Sequence, residues 1–346
     1  MIACRLATDA CIPAQLQPAQ VLDYARSRDA HDGALLRGTG LAAPHGDGLP
    51  DASLVSAEQY LRLLANTLRV LDSPDTSFML GQQLLPGHDG ALSHALLQAP
   101  SLRDALHTIC AGHARLTPLL LPRLQTWDDG AALVWTDSFG AHSLRPALVE
   151  MHMTAVVALC RWLGGTRLPW RFTFNRAAPR HVEQHEVHLG GDLRFGCHVD
   201  AMLIDARWLD VPWPRGSAPA SALALRQAQA QLSQPAGLLA ALYDYLLERV
   251  RVAPTLERTA ADFGISPATL KRQLQRHGTH FQAELDQVRT HVALWLFHTR
   301  RAGNDAVAQY LGFHDSANFR RSFKRWTGET PTLLRTAMDV ARAAVQ

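Results

Sequence analysis

The sequence predicts a mainly α-helical protein in two parts: an α+β sensor-like domain, then an all-α domain with two helix-turn-helix units. Three observations predict it. A short pattern occurs twice near the C-terminus, from Ala260 to Leu274 and again from Ala308 to Phe323. The hydrophobic period turns from helical to alternating between Leu119 and Thr136, then returns to helical from Arg145 to Leu163. A stretch rich in turn-forming residues, Pro212 to Pro219, separates the part with mixed periods from the part with the repeat. With 346 residues, 47% apolar and 19% charged, the chain can bury two cores and is not of disordered composition. The expected division is 1–210 for the first domain, 211–234 for a linker and leading helix, and 235–340 for the second domain.

Taken in order, Val21, Leu22, Ala25 and Leu35-Leu36 are spaced for one helix and a shorter one between Pro18 and Arg37. Gly38-Thr39-Gly40 and Pro44 to Pro50 read as loop. Ser56 starts a strongly amphipathic helix through Tyr60, Leu61, Leu63-Leu64, Thr67-Leu68 and Leu71, with Glu58 near its positive end. Further helices run through Ser93 and Ala95 to Leu97 and, capped by Ser101, through Leu102, Leu106 and Ile109. Leu119 to Trp127, the turn Asp128-Asp129-Gly130 and Ala131 to Thr136 form a β-hairpin pattern. Trp170 to Phe174 alternates as a strand, with Ala201 to Ala206 as its expected partner in a small antiparallel sheet. Leu223 to Leu232 and Leu238 to Arg251 are helices leading into the repeat.

Each copy of the repeat has a physical reason. Ala260 and Ala308 sit four residues before Gly264 and Gly312, and a small side chain lets two helices approach closely. The glycines take the positive φ that a three- to four-residue turn needs. Ser266 and Asp315 cap the helix that follows, and Pro267 fits a first helical position. Leu270 and Leu274, like Phe319 and Phe323, lie four apart and form a buried stripe. The opposite faces carry Lys271, Arg272 and Arg276 in the first copy, and Arg320, Arg321, Lys324 and Arg325 in the second.

The chain's only two lysines, Lys271 and Lys324, fall on these faces. From Thr255 to Arg335 there are twelve Lys and Arg against seven Asp and Glu, in a chain whose net charge is +3. That segment is therefore near +5 and the remainder near −2, a distribution suited to a phosphate backbone as partner. A solvated basic face on an ordinary bundle explains one copy about equally well. Two copies leave it the weaker reading.

The run from Gly312 to Pro331, Gly-Phe-His-Asp-Ser-Ala-Asn-Phe-Arg-Arg-Ser-Phe-Lys-Arg-Trp-Thr-Gly-Glu-Thr-Pro, resembles the C-terminal signature of AraC/XylS-type transcription regulators. Phe281, Leu285-Asp286, Val288-Arg289 and Ala293 to Leu296 resemble that family's long helix between its two DNA-reading units. The chain departs at Leu334-Arg335, where the signature usually ends in Tyr-Arg, and at Ala268 and Ala317, where a bulky or polar base-reading residue is often found. More weakly, Val21 to Ala25, Tyr60 to Leu64, Leu92 to Leu97 and Arg194 to Gly196 are similar to a helical, arabinose-binding-like effector domain of one branch of the family. The resemblance implies double-stranded promoter or operator DNA as partner, RNA polymerase nearby, activation of transcription, a small-molecule effector and a homodimer. Two alternatives stand beside it: a first domain that only dimerises or binds a protein partner, and a DNA-directed enzyme.

On this reading Lys271, Arg272 and Arg321 read base edges, while Ala268, Thr269, Ser316, Ala317 and Asn318 shape the contact. Arg276, Arg320, Lys324 and Arg325 clamp phosphates, and Gly264 and Gly312 are structural turn residues. Recognition helices are expected at Pro267 to His277 and Ser316 to Trp326, with the long helix at Phe281 to Thr299 between them.

Other features point less far. His181, His185 and His188 with Glu183 and Glu186 share one face if helical, but they do not form H-E-x-x-H, and no cysteine lies at ligand spacing. No metal or cofactor is expected. Cys197 next to His198 reads as a buried structural thiol rather than a redox sensor, and Trp127, Trp135, Trp162 and Trp170 as core rather than pocket lining. There is no G-x-S-x-G elbow, Walker A sequence or G-x-G-x-x-G after a strand, so no enzyme is expected. Five scattered cysteines fit reduced thiols, Arg5, Asp9, Pro13 and Gln15 interrupt any leader, and Met151 to Leu163 looks too short to span a bilayer. The expectation is a cytoplasmic protein without membrane contact.

Overall fold

The computed structural model describes residues 1–41, 53–252 and 254–336. The expected loop from Pro44 to Pro50 and the end of the expected second domain lie outside the described residues. The chain divides into two units, Cys4–Leu238 and Leu239 onward together with Met1–Ala3. The mainly α character and the α+β first part follow the expectation.

The first unit opens with β1 (Ala10–Pro13), α1 (Gln17–Arg26) and α2 (Asp32–Leu35). β2 (Leu54–Ser56) pairs antiparallel with β1, a ribbon too short and irregular to leave a period. α3 (Ala57–Leu71) starts on a full capping box: Ser56 Oγ accepts from the Gln59 N–H at 3.2 Å, and Gln59 Oε1 accepts from the Ser56 N–H at 2.9 Å. α4 (Thr76–Leu84) follows, then α5 (Ala91–Leu97), α6 (Leu102–Ala111) and α7 (His113–Leu116). α4 escapes a reading by period because Gly81 interrupts its apolar face. That glycine is needed, since a Cβ there would overlap the Met151 carbonyl and touch Thr154.

The hairpin forms as β3 (Leu120–Trp127) and β4 (Gly130–Asp137), in register from Leu120↔Asp137 to Trp127↔Gly130. The turn is therefore the two residues Asp128-Asp129, and Gly130 belongs to the strand. Its lack of a side chain serves close packing: a Cβ would lie 2.8 Å from the Trp127 ring and 3.1 Å from the Ile204 carbonyl. After α8 (Arg145–Gly164) come β5 (Arg171–Thr173), α9 (Val182–His188), β6 (Leu193–Arg194) and β7 (Ala201–Asp205). β7 pairs antiparallel with β5 as expected, but the sheet has five strands in the order β3-β4-β7-β5-β6, and β6 runs parallel to β5.

α10 (Ala218–Gln227) and α11 (Gln229–Leu232) complete this unit. The expected boundary near residue 210 moves to Leu238, because the proline-rich stretch is packed rather than free. Trp213 is buried and its backbone N–H donates to the Pro100 carbonyl at 2.8 Å. The Ser217 N–H donates to Gln98, and Ser221 Oγ to the Ala95 carbonyl at 3.1 Å, which dock α10 on α5.

α8 is the core helix. With the turn before it, His142–Gly164 is long and apolar enough to cross a membrane by length and composition, which corrects the shorter expectation; 72% of its most apolar 18-residue stretch is buried. Trp135 and Trp170 lie in the core as expected, whereas Trp162 is exposed and Trp127 half-buried; Cys197 is half-buried rather than buried.

His152, wholly buried on α8, sets its Nδ1 2.7 Å from the Leu148 carbonyl and its ring 5.2 Å from Trp135. Burial pulls its pKa down from 6.5 to about 4, partly opposed by the Leu148 carbonyl. The unfolded chain takes up this proton first, so the site's stability is intact above pH ~6.5 and declines as pH falls towards 4. The expected loss over that window is ~3 kcal/mol. Denaturation of the full chain against pH should show it, and His152→Leu should remove that part of the slope; an unchanged slope would mean that another group carries it.

The second unit contains α12 (Leu238–Glu248), α13 (Leu256–Asp262), α14 (Pro267–Arg276), α15 (Phe281–Arg300), α16 (Asn304–Tyr310) and α17 (Ser316–Thr327). The Ile2 N–H joins it by donating to the Asp262 carbonyl at 3.1 Å.

Candidate nucleic-acid interface

The two helix-turn-helix units share one turn geometry. In the first, the Ile265 N–H reaches back to the Ala260 carbonyl and the Gly264 N–H to Ala261, both at 3.0 Å. In the second, Phe313 reaches Ala308 at 2.9 Å and Gly312 reaches Gln309 at 3.2 Å. This pair of bonds is the Schellman arrangement, and it requires a left-handed residue at the glycine. Gly264 has φ +74° and Gly312 φ +75°. Beyond the glycine the copies differ by one residue: Phe263 to Ser266 connect α13 and α14, while Leu311 to Asp315 connect α16 and α17.

Each second helix is capped by the residue expected. Ser266 Oγ accepts from the Thr269 N–H at 3.1 Å, and Asp315 Oδ1 from the Asn318 N–H at 2.6 Å. Leu270, Leu274, Phe319 and Phe323 are fully buried, as are Ala260 and Ala308 where the paired helices approach. Phe297 on α15 sits with its ring 6.4 Å from Phe319 and 6.0 Å from Phe323, so the long helix and the second helix-turn-helix unit share one aromatic core.

The opposite faces are open. Ala268, Lys271, Arg272 and Arg276 on α14 are exposed, with Thr269 half-buried. Ala317, Arg320, Arg321, Lys324 and Arg325 on α17 are exposed, with Ser316 and Asn318 half-buried. Arg325 stands 3.9 Å from Asp286 of α15. Asp286 and Arg289 are neighbours of this face that a reading of α14 and α17 alone misses. Arg289 is half-buried, its guanidinium 5.5 Å from the Phe313 ring centre. Burial lowers its pKa, with Asp286 opposing and Arg325 adding to the shift. The i, i+3 step from Asp286 to Arg289 along a helix turned to the second helix-turn-helix unit was the available signal.

Residues 31–213 match the family described as "Arabinose-binding domain of AraC transcription regulator, N-term", and residues 259–337 match a "Helix-turn-helix domain". The chain belongs to the AraC family of transcription regulators. It is similar to the "Ornithine utilization regulator" of Pseudomonas aeruginosa, 28% identical over 325 residues that cover 92% of this chain and 93% of the relative. An uncharacterized HTH-type transcriptional regulator of Mycobacterium tuberculosis is 23% identical over 90% of this chain and 92% of its own. Among solved structures, transcriptional regulator CdpR from Pseudomonas aeruginosa aligns at TM-score 0.38 and 20% identity, covering 76% of this chain and 87% of that one. The protein is thus a DNA-binding AraC-family regulator with an arabinose-binding-like first domain.

Two residues of this regulator's C-terminal signature region pack near the end of the described chain. Leu334 is half-buried, and Arg335 Nη1 donates to the Ala302 carbonyl at 3.4 Å.

In the first domain the three histidines have separate surroundings. His181 is exposed beside Glu183 at 3.1 Å. His188 stacks on Phe78 at 4.9 Å and meets Gln82 Nε2 at 3.0 Å. His185 is buried, its Nε2 3.2 Å from Glu150 Oε1 and 2.8 Å from Arg176 Nη2. The rings of Phe78, Phe174 and Phe195 stand edge-on to it at 4.9, 5.3 and 5.3 Å. Glu150 also accepts from Ser77 Oγ and Arg176 Nη2. Glu150, Ser77 and Arg176 come from segments far apart in sequence, which is why no motif announced them.

Proposed function

We propose that this regulator binds operator DNA sequence-specifically through α14 and α17, and activates transcription in response to a small molecule bound by its first domain. The observation that carries this reading is the pair of like turns, each presenting a capped helix with a buried apolar stripe and an exposed basic face. Lys271, Arg272 and Arg321 read base edges, with guanine favoured, while Ala268, Thr269, Ser316, Ala317 and Asn318 shape the fit to the groove. Arg276, Arg320, Lys324 and Arg325 hold phosphates and fix register. α15 holds the two helices for successive major grooves about one turn (~34 Å) apart. The protein works in the cytoplasm as a homodimer beside RNA polymerase.

Genome-wide binding of the purified protein at near-physiological salt tests this. A few enriched sites with paired half-motifs about one helical turn apart are expected; uniform, salt-sensitive enrichment would reject sequence-specific reading. Ligand-induced stabilisation across a metabolite panel tests the effector, and ornithine belongs in it because the Pseudomonas relative is named for its utilisation. No stabilisation by any member would favour a first domain that only dimerises or binds a protein.

Single substitutions separate the roles. Arg321→Ala is expected to cost about 1–3 kcal/mol on the operator and to relax one base position. Arg325→Ala is expected to weaken operator and random DNA alike, and to flatten the salt slope by about one unit. Binding isotherms on both DNAs at several salt concentrations decide; identical behaviour of the two variants would reject the assignment.

A further inference from the structure

On α17 a chain of hydrogen bonds runs outward from the cap along one face. Asp315 uses both carboxylate oxygens on one residue: Oδ1 accepts from the Asn318 N–H at 2.6 Å, and Oδ2 from Asn318 Nδ2 at 2.8 Å. The amide's other end, Oδ1, accepts from Arg321 Nη2. The three residues are spaced by three, so they stack on one side of the helix. The carboxylate fixes the amide's orientation, nitrogen towards Asp315 and oxygen towards Arg321. The amide in turn fixes a long side chain with four rotatable torsions.

α14 lacks this arrangement. Ser266 stands at the cap and Thr269 at the position of Asn318, with Ser266 Oγ 2.9 Å from Thr269 Oγ1. Arg272, three residues further on, is the counterpart of Arg321. Among the described residues it has no hydrogen bond or ion pair of this kind.

We infer that Asn318 is a positioning residue: held by Asp315, it pre-sets the Arg321 guanidinium for one guanine and does not itself read adenine. An adenine-reading Asn must turn both ends of its amide to the base, donor to N7 and acceptor to N6. Here one bond at each end already holds the amide to the helix and sets the direction it faces. Arg321 spends one of its five N–H donors on Asn318, and the four that remain are enough for the two-point contact to guanine O6 and N7. Holding the side chain in advance reduces the freedom lost on binding, so Asn318 acts on specificity without touching a base. The inference rests on the DNA-reading role proposed above for Arg321.

The test is a binding profile over all single-base variants of the selected operator, for wild type, Asn318→Ala, Arg321→Ala and the double variant. Asn318→Ala keeps the backbone N–H that Asp315 caps, so its melting curve should match wild type and serves as the folding control. It is expected to lower discrimination at the guanine assigned to Arg321 by about three- to tenfold and to leave other positions unchanged. In the Arg321→Ala background the same substitution should change nothing, a non-additivity that a purely structural role would not give. Loss of an adenine preference at a neighbouring position, with guanine discrimination intact, would overturn the inference. So would additive effects of the two substitutions, or no effect of Asn318→Ala on any position. A wild-type protein with no base preference at all would sink the DNA-reading role and the inference with it, which distinguishes that failure from the others.

Discussion

Gly312→Val is expected to unfold the second helix-turn-helix unit. Gly312 has φ +75°, and a Cβ placed there would lie 2.8 Å from the Arg251 carbonyl oxygen. A β-branched residue resists positive φ, and the backbone oxygen cannot move aside as a side chain can. The combined cost should exceed ~2–3 kcal/mol, a large share of what holds a small domain together. By sequence Gly264 and Gly312 play the same turn role, which alone would make Gly264→Val equally costly. The structure separates the two, because the atoms a Cβ would meet at Gly264 (φ +74°) belong to the flexible Met1 side chain. Gly264→Val should therefore cost the φ strain and little more. Hydrogen exchange of the α17 amides in the full-length variants measures this. Protection in Gly312→Val as strong as in wild type would mean that the turn does not need its glycine.

Glu150→Ala is expected to cost the first unit about 3–5 kcal/mol at neutral pH, the loss typical when one partner of a buried ion pair is removed. Burial alone would raise the Glu150 pKa, yet His185, Arg176 and Ser77 together hold it below the ordinary carboxylate value. Its stabilising contribution is thus present above the unfolded pKa and is lost as pH falls through the lower, folded one. Removing the carboxylate leaves the Arg176 guanidinium without its anionic partner and Ser77 Oγ without its acceptor. Glu150→Gln keeps an acceptor and should lose less. Urea denaturation of the full chain, with hydrogen exchange reporting the two units separately, reads the effect. A loss of Glu150→Ala within ~1 kcal/mol of wild type, as for an exposed pair, would show that water reaches the cluster.

The two turns and their helices were legible because every bond that defines them is local. Ser266 reaches Thr269, Asp315 reaches Asn318, and each glycine closes a turn on residues three to five positions back. The capping box at Ser56 and the hairpin from β3 to β4 were readable for the same reason. By itself, then, the sequence determined the mainly α class, the repeated DNA-reading unit and the basic faces that mark its partner. Only the tertiary structure decided where the first unit ends, because α10 is held by Ser221 on Ala95, 126 residues away, and no local pattern records that docking. It also decided that Gly130 serves packing against Trp127, that Gly81 lets α4 meet α8, and that His185 parts from His181 and His188 to join Glu150. Periodicity, caps and turn residues report the few bonds a chain makes with its near neighbours. Which distant side chains share a buried space depends on how whole elements pack, and that is settled only when the chain has folded.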